Sequence, residues 1–222
     1  MEQDPLLSGR SVQICRNVLR VALGHAVEMG WAQGNPAKEV RIKSASPKER
    51  RRLSENEYLR ILDAEADPMY RSLWRVIGEC GLRPFCEATK LQRSDLAYRL
   101  DCWWLTVRRS KTSAGLRDIP VPDDLGQMLA DREGCLFASS VGTPIDKAKV
   151  ERAWRAVTAA AKVEHTNLYQ LRKLAITRWA LTGLPDAVIK SLSGHTDIRL
   201  TQNVYARVGM EQILNALEEQ RK

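Results

Sequence analysis

Five side chains spread along the sequence have the types needed for chemistry on a phosphate. They are two arginines, a lysine, a histidine and a tyrosine: Arg83, Lys111, Arg172, His195 and Tyr205. Arginines can neutralise nonbridging oxygens as negative charge builds, a lysine can protonate the departing oxygen, and a tyrosine can attack as the covalent nucleophile. No carboxylate cluster suited to a metal accompanies them. The set therefore favours metal-free phosphoryl transfer to a tyrosine.

Each of these residues carries a weak signal when it is taken alone. Arg83 follows a glycine in CGLRP, a turn between helices where a helix N-terminus could bind an anion. Lys111 lies in a basic turn between strands, and His195 follows Gly194 in LSGHTDI. A solvated turn is an equally good interpretation for Arg83, a solvated loop remains open for Lys111, and Tyr205 could be a core residue.

The segment YQLRK adds a second tyrosine beside an arginine. Tyr169 and Arg172 lie three residues apart, so both could face the same ligand from one side of a helix. Core packing of Tyr169 and a surface salt bridge of Arg172 are the alternatives.

The charge of the chain points to a polyanionic partner. The 222 residues hold 35 Lys and Arg against 27 Asp and Glu, a formal net charge of +8. Most of the surplus lies in residues 1–52, and much of it in the segment 38–52, which reads KEVRIKSASPKERRR. We interpret this segment as a linker, which either is a solvated tether or follows DNA phosphates.

Composition excludes several classes of protein. No run approaches the roughly 20 apolar residues of a membrane span, and the first residues lack the features of a signal peptide, so we expect a cytoplasmic protein. Five scattered cysteines indicate reduced thiols rather than a disulfide framework or a zinc site.

Hydrophobic periodicity predicts an α+β fold that is mainly α-helical, with a small three-stranded antiparallel sheet. One long helix ends near Gly30, before the linker. Ser54 and Glu57 form a capping box that starts the next helix, and Pro84 is expected to open a short helix to about Leu91. The sheet is predicted within 96–122, and further helices are predicted at about 69–80, 123–132, 146–162, 167–182, 185–193, 199–206 and 209–220.

Taken in order, the motifs resemble the catalytic domain of the tyrosine recombinase (phage integrase) family. They are GLRP, a lysine in a turn before IPVP, YxLRK, LSGHTDI and a following tyrosine, and the resemblance spans about residues 53–210. Residues 10–45 resemble more weakly the last helix of that family's core-binding domain. The resemblance implies three parts: the end of a truncated, SAM-like core-binding domain (1–37), a basic linker (38–52) and a catalytic domain with its C-terminal helix (53–222).

The resemblance also implies roles for the residues. Arg83 and Arg172 would be the catalytic arginines, Lys111 the general acid for the 5′-oxygen, and His195 a support for the phosphate. Tyr205 would attack to give a 3′-phosphotyrosyl link, with Tyr169 as a sixth catalytic residue, and no cofactor is implied. The expected partners are double-stranded DNA and further copies of the chain, monomeric without DNA and tetrameric on two sites, acting at the nucleoid.

Seven basic residues are predicted to contact DNA. They lie in the linker, around the sheet and beside the second arginine: Lys43, Arg50, Arg51, Arg108, Arg109, Arg117 and Lys173.

The sequence departs from the family pattern at three places. Tyr169 stands where the family usually has a histidine, and a phenol donates a hydrogen bond but accepts a proton poorly at pH 7. His195 or water would then take the nucleophile's proton. The family's acidic residue follows the first arginine by three positions, but Cys86 has that spacing here and Glu87 comes one later, so either the turn holds an extra residue or the acid's bracing role is lost. Third, the part before the linker is too short for a complete core-binding domain.

Two other functions compete with a recombinase. A DNA-binding or regulatory protein could keep the fold without the chemistry, and Tyr169 lends that alternative some support. A type IB topoisomerase shares the active-site logic, but the last motif resembles recombinases more closely.

Overall fold

The computed structural model describes residues 7–42, 51–108 and 115–194. The chain divides into two compact units, residues 1–50 and 51–222. Within the described residues, no helix is both long enough and apolar enough to cross a membrane.

The first unit contains the long helix that the sequence predicts. Helix α1 (Gly9–Glu28) begins after Ser8, whose hydroxyl accepts a hydrogen bond from the backbone N–H of Ser11. A 3-10 turn (Pro36–Lys38) follows, and the Asn35 amide donates to the carbonyl of Arg20 over 2.8 Å. None of the residues of α1 is buried, since a single amphipathic helix has no apolar partner of its own.

The second unit begins with two helices. Helix α2 (Glu55–Ala64) starts at the predicted capping box, in which both the Ser54 and the Glu57 bonds are present. Helix α3 (Pro68–Glu79) buries Leu73, Trp74 and Ile77. Gly81 ends this pair with a φ of +64°, and a Cβ on it would lie 2.5 Å from the ring of Trp179, so a larger residue would be strained there.

The prediction of a short helix from Pro84 to Leu91 is wrong. Turns and a 3-10 turn (Ala88–Lys90) occupy this stretch, and a second 3-10 turn covers Arg93–Asp95. The Glu87 side chain folds back and accepts the backbone N–H of Arg83 over 2.9 Å. The same carboxylate also pairs with Arg117 and lies 3.9 Å from Arg172, and tertiary contacts of this kind override a weak local helix propensity.

A three-stranded antiparallel sheet follows, as the sequence predicts. Strands β1 (Leu96–Arg99), β2 (Cys102–Val107) and β3 (Arg117–Val121) pair in the order 1-2-3. Leu105 lies opposite Leu96 on one side and Ile119 on the other, and all three are buried. This row of side chains joins one face of the sheet to the helical core.

Four helices complete the described fold: α4 (Asp123–Ala130), α5 (Lys147–Ala160), α6 (Tyr169–Leu181) and α7 (Asp186–Ser193). All four were predicted, with ends within about two residues. Helix α6 packs against α3 and α7 and is buried along most of its length. The Trp154 indole of α5 donates to the carbonyl of Thr166 over 2.6 Å, which holds the chain just before α6. The helices predicted at 199–206 and 209–220 lie outside the described residues.

Candidate active site

One buried carboxylate, that of Glu87, joins three arginines. Its side chain is 0% exposed and accepts a hydrogen bond from Nη1 of Arg83. Arg117 donates to both of its oxygens, from Nη1 over 3.2 Å and from Nη2 over 3.0 Å. Nη1 of Arg172 lies 3.9 Å from Oε2. We call Arg83, Arg117, Arg172 and Glu87 the arginine cluster.

The charges of the arginine cluster do not cancel. Three guanidinium groups face one carboxylate, a surplus of two positive charges. Burial alone raises the pKa of the Glu87 carboxyl, but hydrogen bonds and charge from Arg117 and Arg83 outweigh burial and bring it below its usual value. Burial, together with the charge of Arg83, lowers the pKa of Arg172 to about 10, so Arg172 stays protonated at neutral pH.

The same arginines bind the C-terminal end of α7. Three consecutive carbonyls accept one arginine each: Leu192 from Arg117, Ser193 from Arg172 and Gly194 from Arg83. The last carbonyls of a helix have no partner within it and form its negative end, so guanidinium groups suit them. The three arginines therefore fix the position of the backbone from Leu192 to Gly194.

Three parts of the fold supply the side chains of the arginine cluster. Arg83 and Glu87 come from the turns after α3, Arg117 is the first residue of β3, and Arg172 lies in the first turn of α6. Arg172 also donates to the carbonyl of Gly81, which ties α6 to the end of α3. Arg83 is the more accessible of the two predicted catalytic arginines, with 25% of its side chain exposed against 7% for Arg172.

Tyr169 begins α6 at the edge of the arginine cluster. The Asn167 side chain accepts its backbone N–H over 2.7 Å, and its ring meets Phe85 edge-on at 6.3 Å between centroids. Burial, together with Cys86, raises the pKa of the Tyr169 phenol. The residue as a whole is 41% exposed, and it lines a cavity of about 260 Å³ with Lys147 and His165 among others. At neutral pH it is a hydrogen-bond donor facing solvent.

Three of the six predicted catalytic residues are described, and the structure brings these three together: Arg83, Tyr169 and Arg172. Lys111, His195 and Tyr205 lie outside the described residues, as do the predicted DNA contacts Lys43, Arg50 and Arg109.

The other predicted DNA contacts lie in different surroundings. Arg51 pairs with Glu57 and Glu164, and Arg108 pairs with Asp95 over 2.7 Å while 62% of its side chain stays exposed. Lys173 is exposed on α6.

Arg117 was predicted to contact DNA from a basic turn of the sheet. Its side chain is 4% exposed and turned into the protein, because Glu87 and the end of α7 supply its hydrogen-bond acceptors.

Glu87, the central residue of the arginine cluster, was not among the site residues predicted from the sequence. The sequence left two explanations for the spacing of Glu87, an extra residue in the turn or the loss of the acid's bracing role; in the structure Cys86 is exposed and Glu87 pairs with the arginines. A glutamate four residues after an arginine was the available signal. Among the described residues, no three His, Cys, Asp or Glu side chains group as metal ligands would.

Comparison with known families agrees with this geometry. The sequence model of the phage integrase family matches residues 51–212, which contain the whole arginine cluster. The chain belongs to the phage integrase family.

Two curated relatives extend the comparison. A XerC-like tyrosine recombinase of Caldanaerobacter subterraneus subsp. tengcongensis is 22% identical over 259 aligned positions, covering 95% of this chain and 66% of the relative. An integrase of Saccharopolyspora erythraea is 28% identical over 109 positions, covering 41% of this chain and 25% of the relative. The chain thus spans less than two thirds of the length of either relative.

Solved structures show the same fold. The Tn1549 transposon integrase, in complex with a circular intermediate DNA, superposes with a TM-score of 0.75 at 18% identity over 94% of this chain and 80% of that one. A lambda integrase dimer bound to a COC′ core site gives 0.69 at 21% identity, over 86% and 74%. These similarities confirm the predicted fold class, a mainly helical tyrosine recombinase domain with a small antiparallel sheet.

Proposed function

We propose that this chain is the catalytic part of a site-specific DNA recombinase, an integrase of a mobile element or phage. It would cleave and rejoin DNA through a 3′-phosphotyrosine intermediate without metal or ATP. The observation that carries this proposal is the pair Arg83 and Arg172, held together by the buried carboxylate of Glu87 with positive charge in surplus.

The arginine pair suits a phosphate whose charge grows during the reaction. Arg172 is buried and braced, so it is already oriented before the substrate arrives, and the more exposed Arg83 can meet a nonbridging oxygen from the solvent side. Charged donors that need no reorganisation stabilise a transition state most, because the protein has oriented them during folding.

The remaining chemistry rests on the family resemblance. The Tyr205 oxygen attacks phosphorus, and the bond from phosphorus to the 5′-oxygen breaks. The leaving oxygen takes a proton from Lys111, and His195 supports the phosphate. Because the phosphotyrosyl bond replaces the phosphodiester bond, attack by a 5′-hydroxyl reverses the step and rejoins DNA without an energy source.

Tyr169 acts as a donor in this proposal. Its raised pKa keeps the phenol protonated, so it can hold a nonbridging oxygen but cannot take the nucleophile's proton. That proton goes to His195 or to water.

Double-stranded DNA is the proposed partner. The exposed cations Arg108 and Lys173 would contact the DNA backbone, as would Arg51 and the basic linker 38–52. The two integrase structures cited above are DNA complexes. Four protomers on two duplexes would carry out strand exchange, at the nucleoid in the cytoplasm.

A nicked suicide duplex tests the proposal. The cognate site is first selected from random duplexes by binding, and the protein is then incubated with it in the presence of a chelator. We expect a covalent protein–DNA band that disappears in Tyr205→Phe, while Tyr205→Phe still shifts the duplex in a gel. A wild-type protein that binds its site and never forms this band contradicts the proposal.

One observation favours a second candidate, a DNA-binding protein that keeps the fold without catalysis. Tyr169 replaces the usual proton acceptor, as a decayed site could. This alternative predicts site-specific binding with no covalent band in any variant, including Tyr169→His.

A further inference from the structure

We propose that Arg117 is a positioning residue, which orients the two reactive arginines through Glu87 and does not contact DNA. This inference rests on the proposed function and assigns to Arg117 a different role from the one that its basic turn predicted.

The first support is the burial and complete engagement of the Arg117 side chain. It is 4% exposed. Nε donates to the carbonyl of Leu192 over 2.7 Å, Nη1 to the carbonyl of Gly115 over 2.8 Å, and both Nη atoms donate to Glu87. All three guanidinium nitrogens of Arg117 therefore have acceptors inside the protein, whereas among the described residues Arg83 and Arg172 donate through Nη1 and Nη2 and not through Nε. A phosphate at Arg117 would have to displace one of its bonds.

The second support is the arrangement at Glu87. Arg117 donates to Oε1 and Oε2 in a parallel fork, which fixes the plane of the carboxylate. The same Oε1 accepts Arg83, and Oε2 faces Arg172 and accepts the backbone N–H of Arg83. Without Arg117, the carboxylate could rotate toward either neighbour and carry that arginine with it.

The third support is the end of α7. Arg117 holds the carbonyl of Leu192, and the next two carbonyls accept Arg172 and Arg83. Arg117 thus fixes both the Glu87 carboxylate and the C-terminal end of α7. The guanidinium groups of Arg83 and Arg172 lie between these two. A lysine has a single point of charge and cannot bond these acceptors in the same plane.

The first test separates positioning from DNA contact. We expect Arg117→Met to leave the salt dependence of DNA binding unchanged, and to lower the single-turnover cleavage rate at saturating protein on the order of 100-fold. If Arg117 itself contacts a phosphate, the slope of the logarithm of the binding constant against the logarithm of the salt concentration instead falls by about one unit, and that result overturns the proposal.

The second test separates positioning from a general role in stability. Arg75 is a matched control, because its guanidinium, like that of Arg117, forms a fork with a carboxylate; it bonds Glu79 and Asp124. Both Arg75→Met and Arg117→Met should lower the melting temperature. Assayed below both melting temperatures, only Arg117→Met should slow cleavage. Equal slowing in the two variants contradicts a positioning role, as does full rescue by Arg117→Lys.

A third test does not depend on cleavage. Inorganic phosphate is titrated into protein carrying ¹⁵N-labelled arginine, and the Nε–H signals of Arg83 and Arg172 are followed. We expect Arg117→Met to bind phosphate at least about 10-fold more weakly, because the two reactive guanidinium groups no longer converge. Unchanged phosphate affinity overturns the proposal. A wild-type chain that binds phosphate but never cleaves DNA overturns only the proposed function.

Discussion

Two arginine networks lie in the same domain and differ in charge balance. In the arginine cluster, Arg83, Arg117 and Arg172 share the single carboxylate of Glu87. Elsewhere, two arginines meet three carboxylates: Arg75 pairs with Glu79 and Asp124, and Arg178 pairs with Glu55. We call this second set, with Tyr58, the balanced network, because each of its arginines is neutralised by at least one carboxylate. The Tyr58 hydroxyl donates to Glu79 over 2.8 Å.

The difference in charge supports the proposal that the arginine cluster is the site for an anion. Each arginine of the balanced network has at least one carboxylate to itself, so nothing further is needed to neutralise it. In the arginine cluster, backbone carbonyls replace the missing carboxylates, and these dipoles do not cancel two positive charges. Folding therefore retains a site whose electrostatic energy falls when an anion binds.

The largest expected effect comes from removing the central carboxylate. Glu87→Gln leaves three arginines without their counter-ion, and we expect it to lower the free energy of unfolding by about 3–5 kcal/mol in denaturant titrations. Added sulfate should restore part of this stability, because an anion can replace the lost carboxylate. Glu79→Gln in the balanced network should show no such rescue, and equal rescue of both variants removes the distinction between the networks.

Next in size is the loss of a reactive arginine. Arg172→Met should lower the single-turnover cleavage rate about 100- to 1000-fold, since it removes a donor to the charge that develops on the phosphate.

The matched control is Arg178→Met, which breaks the pair with Glu55 and a contact with the ring of Tyr58. It should change stability and leave the cleavage rate within about twofold. A large loss of cleavage in Arg178→Met would show that the balanced network also serves catalysis.

A smaller effect on the cleavage rate is expected at Tyr169, beside the arginine cluster, and none at Tyr58 in the balanced network. Tyr169→Phe should slow cleavage about tenfold, the value of one hydrogen bond to a charged oxygen. Tyr58→Phe should leave the rate unchanged, because its hydroxyl bonds Glu79 and no substrate.

Tyr169→His tests the base question directly. It introduces a group with a pKa near about 6.5, so the rate should rise with pH through that value. An unchanged rate and an unchanged pH profile would show that the tyrosine causes no deficit of base.

The smallest effect is on acid stability. Because the pKa of Glu87 is lowered in the folded protein, its contribution to stability is complete above about pH 4.3, the unfolded value, and is lost as pH falls through the folded pKa. Melting temperatures measured from pH 7 to pH 3 should therefore fall more steeply in the wild type than in Glu87→Gln.

Asp124 provides the comparison for acid stability. The hydrogen bond from Arg75 lowers its pKa, but its side chain is 70% exposed and solvent screens the pair. Asp124→Asn should change the acid dependence less than Glu87→Gln does, and the reverse order would contradict the assignment of Glu87 as the buried counter-ion.

Local signals predicted most of the elements. The Ser54 capping box, the strands 96–122 and the helix that carries Arg172 all follow from short-range patterns, and the structure confirms them. The stretch from Pro84 to Leu91 was predicted wrongly, because the Glu87 side chain pairs with two arginines that are distant in the sequence, Arg117 and Arg172, as well as with its neighbour Arg83. Such a preference depends on partners that are far away in the sequence.

The candidate site divides in the same way. The order of the motifs was enough to select Arg83 and Arg172, since a reaction centre is recognised by its residue types. The assignments of Glu87 and Arg117 required knowing which side chains are buried together. Arg117 and Arg108 stand in the same basic stretch, yet 4% of one side chain is exposed and 62% of the other.

By itself, the sequence determined the family and, among the described residues, nearly every helix and strand, because each depends on residues that are close in the chain; it also supplied the candidate reactive groups. Only the tertiary structure decided which acceptors each arginine bonds and how far each arginine is buried. That choice depends on where Glu87 and the three carbonyls at the end of α7 come to lie, and residues more than a hundred positions apart meet there. Electrostatic balance in a buried site is set by this meeting of distant groups and not by the charge of any one segment.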